Sequence, residues 1–299
     1  MSTTVLVAAA AVAVGAYAFY TRRFATAQAE SVNTPPKPTF SGVGFRTLTL
    51  TSTESVNHNV KHLRFALSDP QATSGLSLTS ALLTVSWPKG RWLPVLRPYT
   101  PVNDLDDRGH LDLFVKLYPG GKQSGHLHQL QPGDTLTCMR IPGYRWSPAA
   151  VPPPQHVALV AGGQGITPCY QLLRGILANP EDRTRVTLVW GVNTDADLFL
   201  ATEIAALQAK YPGRLTTRYV VSQPAAGSTH TPGHVTTAVL RTAGVVPPAS
   251  AGIVAAAATK KDGVSKVFLS GPPAMEKALT KADGLFAQLG FTKKDVHTF

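Results

Sequence analysis

The chain has little of what several common kinds of protein are built from. Only two of its 299 residues are cysteine, Cys138 and Cys169, far apart in sequence and outside any metal-ligand spacing. A disulfide framework and a cysteine-based metal cluster are therefore both excluded, and the expectation is a reducing compartment with both thiols buried. Acidic residues are also scarce, 17 against 28 Lys and Arg, giving a formal net charge of +11. That excess is dispersed, and no block of five or six basic residues occurs. A dispersed field keeps a chain soluble and attracts an acidic protein partner or an anionic membrane surface. With no basic stretch interleaved with aromatics and no zinc-ligand spacing, nucleic acid is not an expected partner. The nine histidines lack ligand spacing, and His126 and His128 are expected on a solvated face. No internal repeat is visible.

Long apolar runs are rare too, with one exception at the start. Met1 to Thr21 carries no charged side chain, and the almost wholly apolar stretch from Val5 to Tyr20 is followed at once by Arg22 and Arg23. That length is near the minimum for crossing a bilayer. The basic pair comes after the run, which favours an uncleaved anchor over 1–23 with the rest of the chain on the cytosolic side. The small residues Ala25 to Ala29 make processing the alternative. Residues 24–42, with Pro35, Pro36 and Pro38, read as an extended tether without a fold of its own.

The chain is 43% hydrophobic overall, and the part that follows the tether is long enough for two cores. Over 43–150, segments such as Phe45 to Leu50, Leu82 to Val85, Leu111 to Leu117 and Thr135 to Met139 alternate at a two-residue period between Pro and Gly turns. This predicts a small antiparallel β-barrel domain. Over 151–299 the pattern changes: wholly apolar runs, His156 to Ala161 and Val186 to Gly191, alternate with helical stretches at Tyr170 to Leu177 and Leu198 to Lys210. Buried parallel strands with crossover helices read this way, so an α/β domain is expected after the proline-rich junction at Pro148 to Pro154. Residues 243–263 read as a long loop or an inserted helix.

Four short segments carry the chemistry. In Arg97-Pro98-Tyr99-Thr100 an extended backbone turns residues 97 and 99 to one face, so a guanidinium suited to a pyrophosphate and a phenol lie side by side. Alone, the tetrapeptide reads first as a surface charge beside a half-buried strand aromatic, and the other segments change that weighting. Gly120-Gly121-Lys122-Gln123-Ser124 precedes a short helix expected at Gly125 to Leu130, where backbone N–H groups suit a phosphate, although such turns are common. Gly162-Gly163-Gln164-Gly165-Ile166-Thr167-Pro168 follows a buried strand and opens a helix, at the place where open α/β sheets bind ligands. Thr167 is expected to cap that helix at Pro168, with a further part as donor to a bound ring. Ser270-Gly271-Pro272-Pro273-Ala274-Met275 ends the strand Lys266 to Leu269 and precedes a helix expected over Glu276 to Leu289. Two such turns on neighbouring strands would form one crevice. Phe299 reads as a frayed end or as an aromatic packed at a domain junction.

In this order, over 43–299, the segments resemble the NADH-cytochrome b5 reductases of the ferredoxin-reductase-type flavoproteins, nearest to the membrane-anchored mitochondrial form. The resemblance implies FAD and NADH as cofactors, with NADPH as an alternative donor, and cytochrome b5 or another acidic haem protein as acceptor. It implies that Arg97 binds the FAD pyrophosphate, that Pro98 and Tyr99 lie along the flavin, and that Thr100 bonds near flavin N5. Val115 and Lys116 fall where the family holds the adenine half of FAD, and Gly121, Lys122, Gln123 and Ser124 match its phosphate turn. Thr167, beside Gly163 and Gly165, matches the residue between flavin and nicotinamide. Asn193, Thr194, Ser222, Gly271, Pro272 and Met275 fall on the pyridine-nucleotide side. Thr100, Thr167 and Ser270 would stand nearest the reacting atoms.

Two positions depart from the family. Ser270 stands where a cysteine is usual, and Ser222 where an acidic residue usually holds the adenosine ribose and repels the extra phosphate of NADPH. The resemblance implies a mitochondrial outer-membrane location, with the endoplasmic reticulum as alternative. Because both departures weaken the nucleotide side, a competing reading is a flavin-holding or structural subunit of a larger membrane complex. A nitrate-reductase-type or ferredoxin-linked module is disfavoured, since no haem or iron-sulfur segment accompanies these domains.

Overall fold

The computed structural model describes residues 36–88, 92–150, 154–248 and 263–299. The expected anchor, most of the tether and most of the 243–263 segment lie outside the described residues. Among the described residues no helix is long and apolar enough to cross a membrane.

The first sheet is antiparallel and has six strands: β1 (Phe45–Ser55), β2 (Val60–Ala66), β3 (Ala81–Ser86), β4 (Val95–Tyr99), β5 (His110–Lys116) and β6 (Thr135–Ile141), in the spatial order β4-β3-β6-β1-β2-β5. Alternation drives it, because a period of two places Leu48, Leu50, Leu63, Phe65, Leu82, Leu111, Leu113 and Leu136 on one inner face. Pro98 is accommodated because β4 is an edge strand, where a missing N–H breaks no ladder. Helix α1 (Lys122–Gln129) packs against both β4 and β5, closing the gap between the two edges of the half-barrel. The fold also claims the end of the tether. The Thr39 and Phe40 amides donate to Thr73 and Ser74 carbonyls, and Phe40 is buried in the barrel core. An aromatic ring with a cavity to fill overrides the extended character of the prolines before it.

The second sheet is wholly parallel: β7 (His156–Gly162), β8 (Arg185–Val192), β9 (Leu215–Val221), β10 (Thr231–Pro232), β11 (Lys266–Ser270) and β12 (Val296–Thr298), ordered β10-β9-β8-β7-β11-β12. Helices α2 (Ile166–Ala178) and α3 (Ala201–Lys210) cover one face around Leu159, Trp190 and Phe268. Helices α4 (Thr237–Thr242), α5 (Pro273–Thr280) and α6 (Leu285–Leu289) cover the other around Val160, Val189 and Leu269. Every residue of β7 is buried, as its unbroken apolar run requires. The order reverses direction between β7 and β11, and such a switch point leaves a crevice beyond the carboxyl ends of the two strands.

Several helix expectations need correction. The single helix expected over 276–289 is two, separated at 281–284, where Gly284 approaches the Leu279 carbonyl so closely that a Cβ would lie 2.7 Å from it. Helix α1 starts at Lys122, three residues earlier than expected, and α2 starts at Ile166. Thr167 is therefore inside α2 and is not its cap; Gly165 holds that position, and the Thr167 hydroxyl donates to the Gln164 carbonyl at 3.3 Å. His128 is half-buried, its ring nitrogen 2.7 Å from the Val115 carbonyl, so it does not sit on a solvated face. Strand β12 gave no apolar signal, yet it pairs with β11 and fixes Phe299, whose ring stacks on Phe268 at 5.8 Å. Both cysteines are free and buried, as expected.

The two sheets are joined by specific polar ties. Gln164 donates to the Phe114 carbonyl at 2.7 Å, Asn57 to the Ala196 carbonyl at 2.7 Å, and Lys116 to Asp197 at 2.7 Å. Arg174 pairs with Asp104 and donates to the Val102 carbonyl. These bonds run from β5 and its neighbours to the mouths of β7 and β8, so they hold the crevice against the barrel.

Candidate active site

Two large cavities open where the sheets meet. The first, of about 1360 Å³, is bounded on the barrel side by Arg97, Pro98, Tyr99, Thr100 and the turn Gly120 to Ser124. From the parallel sheet it is bounded by Gly165, Thr167, Ser270 and Gly271, with Phe299. Arg97 and Thr167, 70 positions apart in sequence, thus face one space. Burial pushes the Tyr99 phenol up to about 12, so it remains a neutral hydrogen-bonding group throughout the physiological range. Gly120 has φ of 68°, a left-handed conformation that lets the chain reverse into α1. No side chain caps the start of α1, so its first-turn amides and Lys122 are presented together at the cavity.

The second cavity, of about 1330 Å³, is lined by Lys116, Gly163, Asn193, Thr194, Asp197, Gln223, Pro272 and Met275. Tyr118, Gly120, Gly121, Gly162 and Pro272 belong to both cavities, so occupants of the two would meet at this shared wall. The crevice is narrow because the turns after β7 and β11 approach each other closely. A Cβ on Gly165 would lie 2.1 Å from the Ser270 carbonyl oxygen, so only glycine lets the two turns close on each other.

Some expected residues have other roles. Gln123 is buried and bonded on both sides, accepting from Ser86 at 2.5 Å and donating to Thr84 at 2.8 Å, so it braces α1 against β3. Ser124 accepts from the Tyr118 amide at 3.2 Å and holds the turn. Val115 is buried in the barrel core and lines neither cavity, because alternation along β5 turns it inward. Lys116, its neighbour, lines the second cavity and not the first. Ser222 directs its hydroxyl to the Asn193 carbonyl at 3.3 Å, and Gln223 beside it is the residue that lines the cavity.

Asp197 was not foreseen. It is 5 % exposed, and Thr194 and Asp197 form a reciprocal capping box, with Thr194 N and Oγ1 donating to the carboxylate at 3.1 and 2.9 Å. Burial alone would raise its carboxyl, but the hydrogen bonds from Lys116 and Thr194 outweigh it and hold the group at about 2. The clue in the sequence was the Thr-x-x-Asp spacing after a buried strand. Tyr118, Tyr144, His297 and Phe299 also line the sites, and none lies within a motif that sequence reading could isolate.

The donor set suits two elongated, phosphate-bearing ligands, since each cavity joins aromatic or apolar walls to exposed amides and a cation. Family profiles agree: residues 47–143 match the oxidoreductase FAD-binding domain and residues 159–281 the oxidoreductase NAD-binding domain. The protein is thus an FAD- and NAD-dependent oxidoreductase built from a half-barrel and a parallel sheet.

Sequence relatives narrow the class. NADH-cytochrome b5 reductase 2 of Pyricularia oryzae is 41% identical over 267 residues, covering 86% of this chain and 76% of the relative. The protein of the same name from Aspergillus clavatus is 40% identical over 93% of this chain and 85% of its own. The cytochrome b5 reductase domain of Ulva prolifera nitrate reductase superposes with a TM-score of 0.72 at 26% identity, over 88% of this chain and all of that one. The CS-b5R domains of human Ncb5or share the fold, with a TM-score of 0.68 at 22% identity over 86% of this chain and 70% of that one. The chain belongs to the NADH-cytochrome b5 reductase family.

Proposed function

We propose that this chain takes a hydride from NADH onto FAD and passes the electrons one at a time to the haem of cytochrome b5. The observation that carries the reading is the shared wall, Tyr118, Gly120, Gly121, Gly162 and Pro272, which makes occupants of the two cavities abut. When bound, FAD accepts two electrons as hydride from the nicotinamide and releases them singly, which the side chains of this protein cannot do. The residues supply placement and surroundings. Arg97, with the amides at the start of α1 and Lys122, would hold the FAD pyrophosphate, and Tyr99 and Thr100 would bond the flavin as neutral donors. Thr167, in the first turn of α2, and Ser270, at the end of β11 and in close approach to Gly165, would bound the meeting point of the two rings and keep water from it. Lys116, Asn193, Thr194, Pro272 and Met275 would receive NADH. Fixed turns of this kind contribute by orientation, where a misplacement of 1 Å costs about 100-fold in rate.

Ser222 offers no negative charge against a 2′-phosphate, so NADPH is proposed as a weaker alternative donor. For the acceptor we propose docking at the open mouth of the first cavity near Lys122, with the chain's positive charge steering an acidic haem protein. The uncharged run from Val5 to Tyr20 before Arg22 and Arg23 supports an anchor at residues 1–23 with the two sheets on the cytosolic side. The resemblance to the mitochondrial form makes that organelle's outer membrane the first location to examine by cell fractionation, and the endoplasmic reticulum the second.

The deciding experiment is anaerobic addition of NADH to the purified yellow protein, followed by cytochrome b5. Loss of the flavin absorbance, then reduction of the haem Soret band, is expected. Flavin absorbance that persists with NADH removes the enzyme reading.

A further inference from the structure

The turn end of the β3–β4 hairpin, unlike Arg97 and Tyr99 further along β4, has no place in the mechanism, yet it carries an unusual surface. Trp87 is 58%, Trp92 87%, Leu93 48% and Leu96 39% exposed, at or beside the turn end of an edge pair. Isolated exposed apolar residues are ordinary, but two tryptophans and a leucine within seven positions form a grouped surface that calls for an occupant. Trp87 and Trp92 line neither cavity, so the bound cofactors do not cover them.

We propose that this hairpin end is a second membrane contact, resting on an anionic bilayer surface. This contact rests on the reading of residues 1–23 as an anchor. The choice of lipid over protein rests on residue type and on chain length. Tryptophan, apolar in body with one polar N–H, is enriched where bilayer meets water. The sequence between the two tryptophans contains two basic residues and no acidic one, and the whole chain is at +11, which complements anionic headgroups. Thr39, where the fold takes hold of the chain, is separated from Arg23 by fifteen residues, a reach of roughly 50 Å at about 3.3 Å per residue. A domain held that close meets the same bilayer at high effective concentration, so a weak contact suffices. The hairpin runs directly into Arg97 at the first cavity, so resting it on the membrane fixes the direction in which the cavity mouth faces.

The test uses the full-length holoprotein with vesicles of phosphatidylcholine and phosphatidylserine, whose acyl chains are brominated near the headgroup. Of four tryptophans, Trp190 is fully buried and Trp146 is bonded to Asp182 at 2.8 Å, so quenching reports Trp87 and Trp92. Quenching of roughly a third or more of the emission is expected, from the interfacial depth of an aromatic belt. It should vanish in Trp87→Ser/Trp92→Ser and largely persist in Trp87→Phe, which keeps Trp92 as the reporter, with flavin content and turnover of a small acceptor unchanged in both. Flotation of the protein with vesicles reports the anchor separately. Flotation without quenching leaves the anchor standing and overturns the hairpin contact; loss of both overturns both. Quenching that survives the double serine variant, or a tryptophan-dependent dimer seen by light scattering in place of quenching, also overturns it.

Discussion

The two sheets build the walls of one site in opposite ways. The antiparallel half-barrel offers side chains: Arg97 and Tyr99 from edge strand β4, and Lys122 where α1 bridges the edges. The parallel sheet offers backbone: the turns after β7 and β11, brought together because Gly165 has no Cβ. Side-chain sites tolerate small shifts of backbone, because rotamers can follow. Backbone sites do not, because carbonyls and amides move only with the chain.

This contrast places the largest effect on the glycine side. Gly165→Ala would force the turns apart and should lower the rate of flavin reduction by NADH at least about 100-fold, with a stability loss of about 1–3 kcal/mol. Stopped-flow absorbance and thermal melting measure the two quantities, and a near-native rate would mean the crevice is not the reaction site. On the side-chain side, Arg97→Ala removes charged hydrogen bonds worth about 1.5–3 kcal/mol, so FAD affinity should fall about 10- to 150-fold. Flavin titration of the apoprotein tests this; at saturating FAD, flavin reduction should largely recover, which Gly165→Ala cannot do.

Between the sheets stands the Lys116–Asp197 pair. Lys116→Met would leave a nearly buried carboxylate without its cation and should cost about 2–3 kcal/mol, somewhat below a fully buried pair. Because the Asp197 carboxyl is held at about 2, below its ordinary 3.8, its contribution is complete above pH 4 and fades as pH falls toward 2. Acid titration of the folded state should show that loss in the parent and a smaller one in the variant. A smaller effect is expected from Ser222→Asp, which should raise the NADH over NADPH preference about 10-fold in kcat/KM by repelling the additional phosphate. Smallest, raising salt from about 20 to 200 mM should slow cytochrome b5 reduction several-fold while leaving reduction of an uncharged quinone acceptor unchanged. Equal responses would remove electrostatic docking.

Residue type and order made the barrel, the parallel sheet and the four chemical segments legible. The alternation of Phe45 to Leu50 and the unbroken run His156 to Ala161 report burial on one face and on two, and that depends on nearest neighbours along the chain. Glycine-rich turns after apolar strands announced the crevice for the same reason. Other features depended on partners distant in sequence. Thr167 looked like a cap until the start of α2 two residues earlier, at Ile166, put it inside. Gln123 looked like a ligand until Ser86 and Thr84 took both ends of its amide. Lys116 followed the family's first-cofactor pattern until Asp197, 81 positions away, drew it to the second cavity. The three-residue β12 and Phe299 acquired a place only because β11 offered an open edge. Local periodicity and turn chemistry are set by covalent neighbours, so the sequence determined the layers and the phosphate-binding turns. Which polar group spends its hydrogen bonds on the protein, and which keeps them for a ligand, depends on atoms that only the packed chain brings within 3 Å.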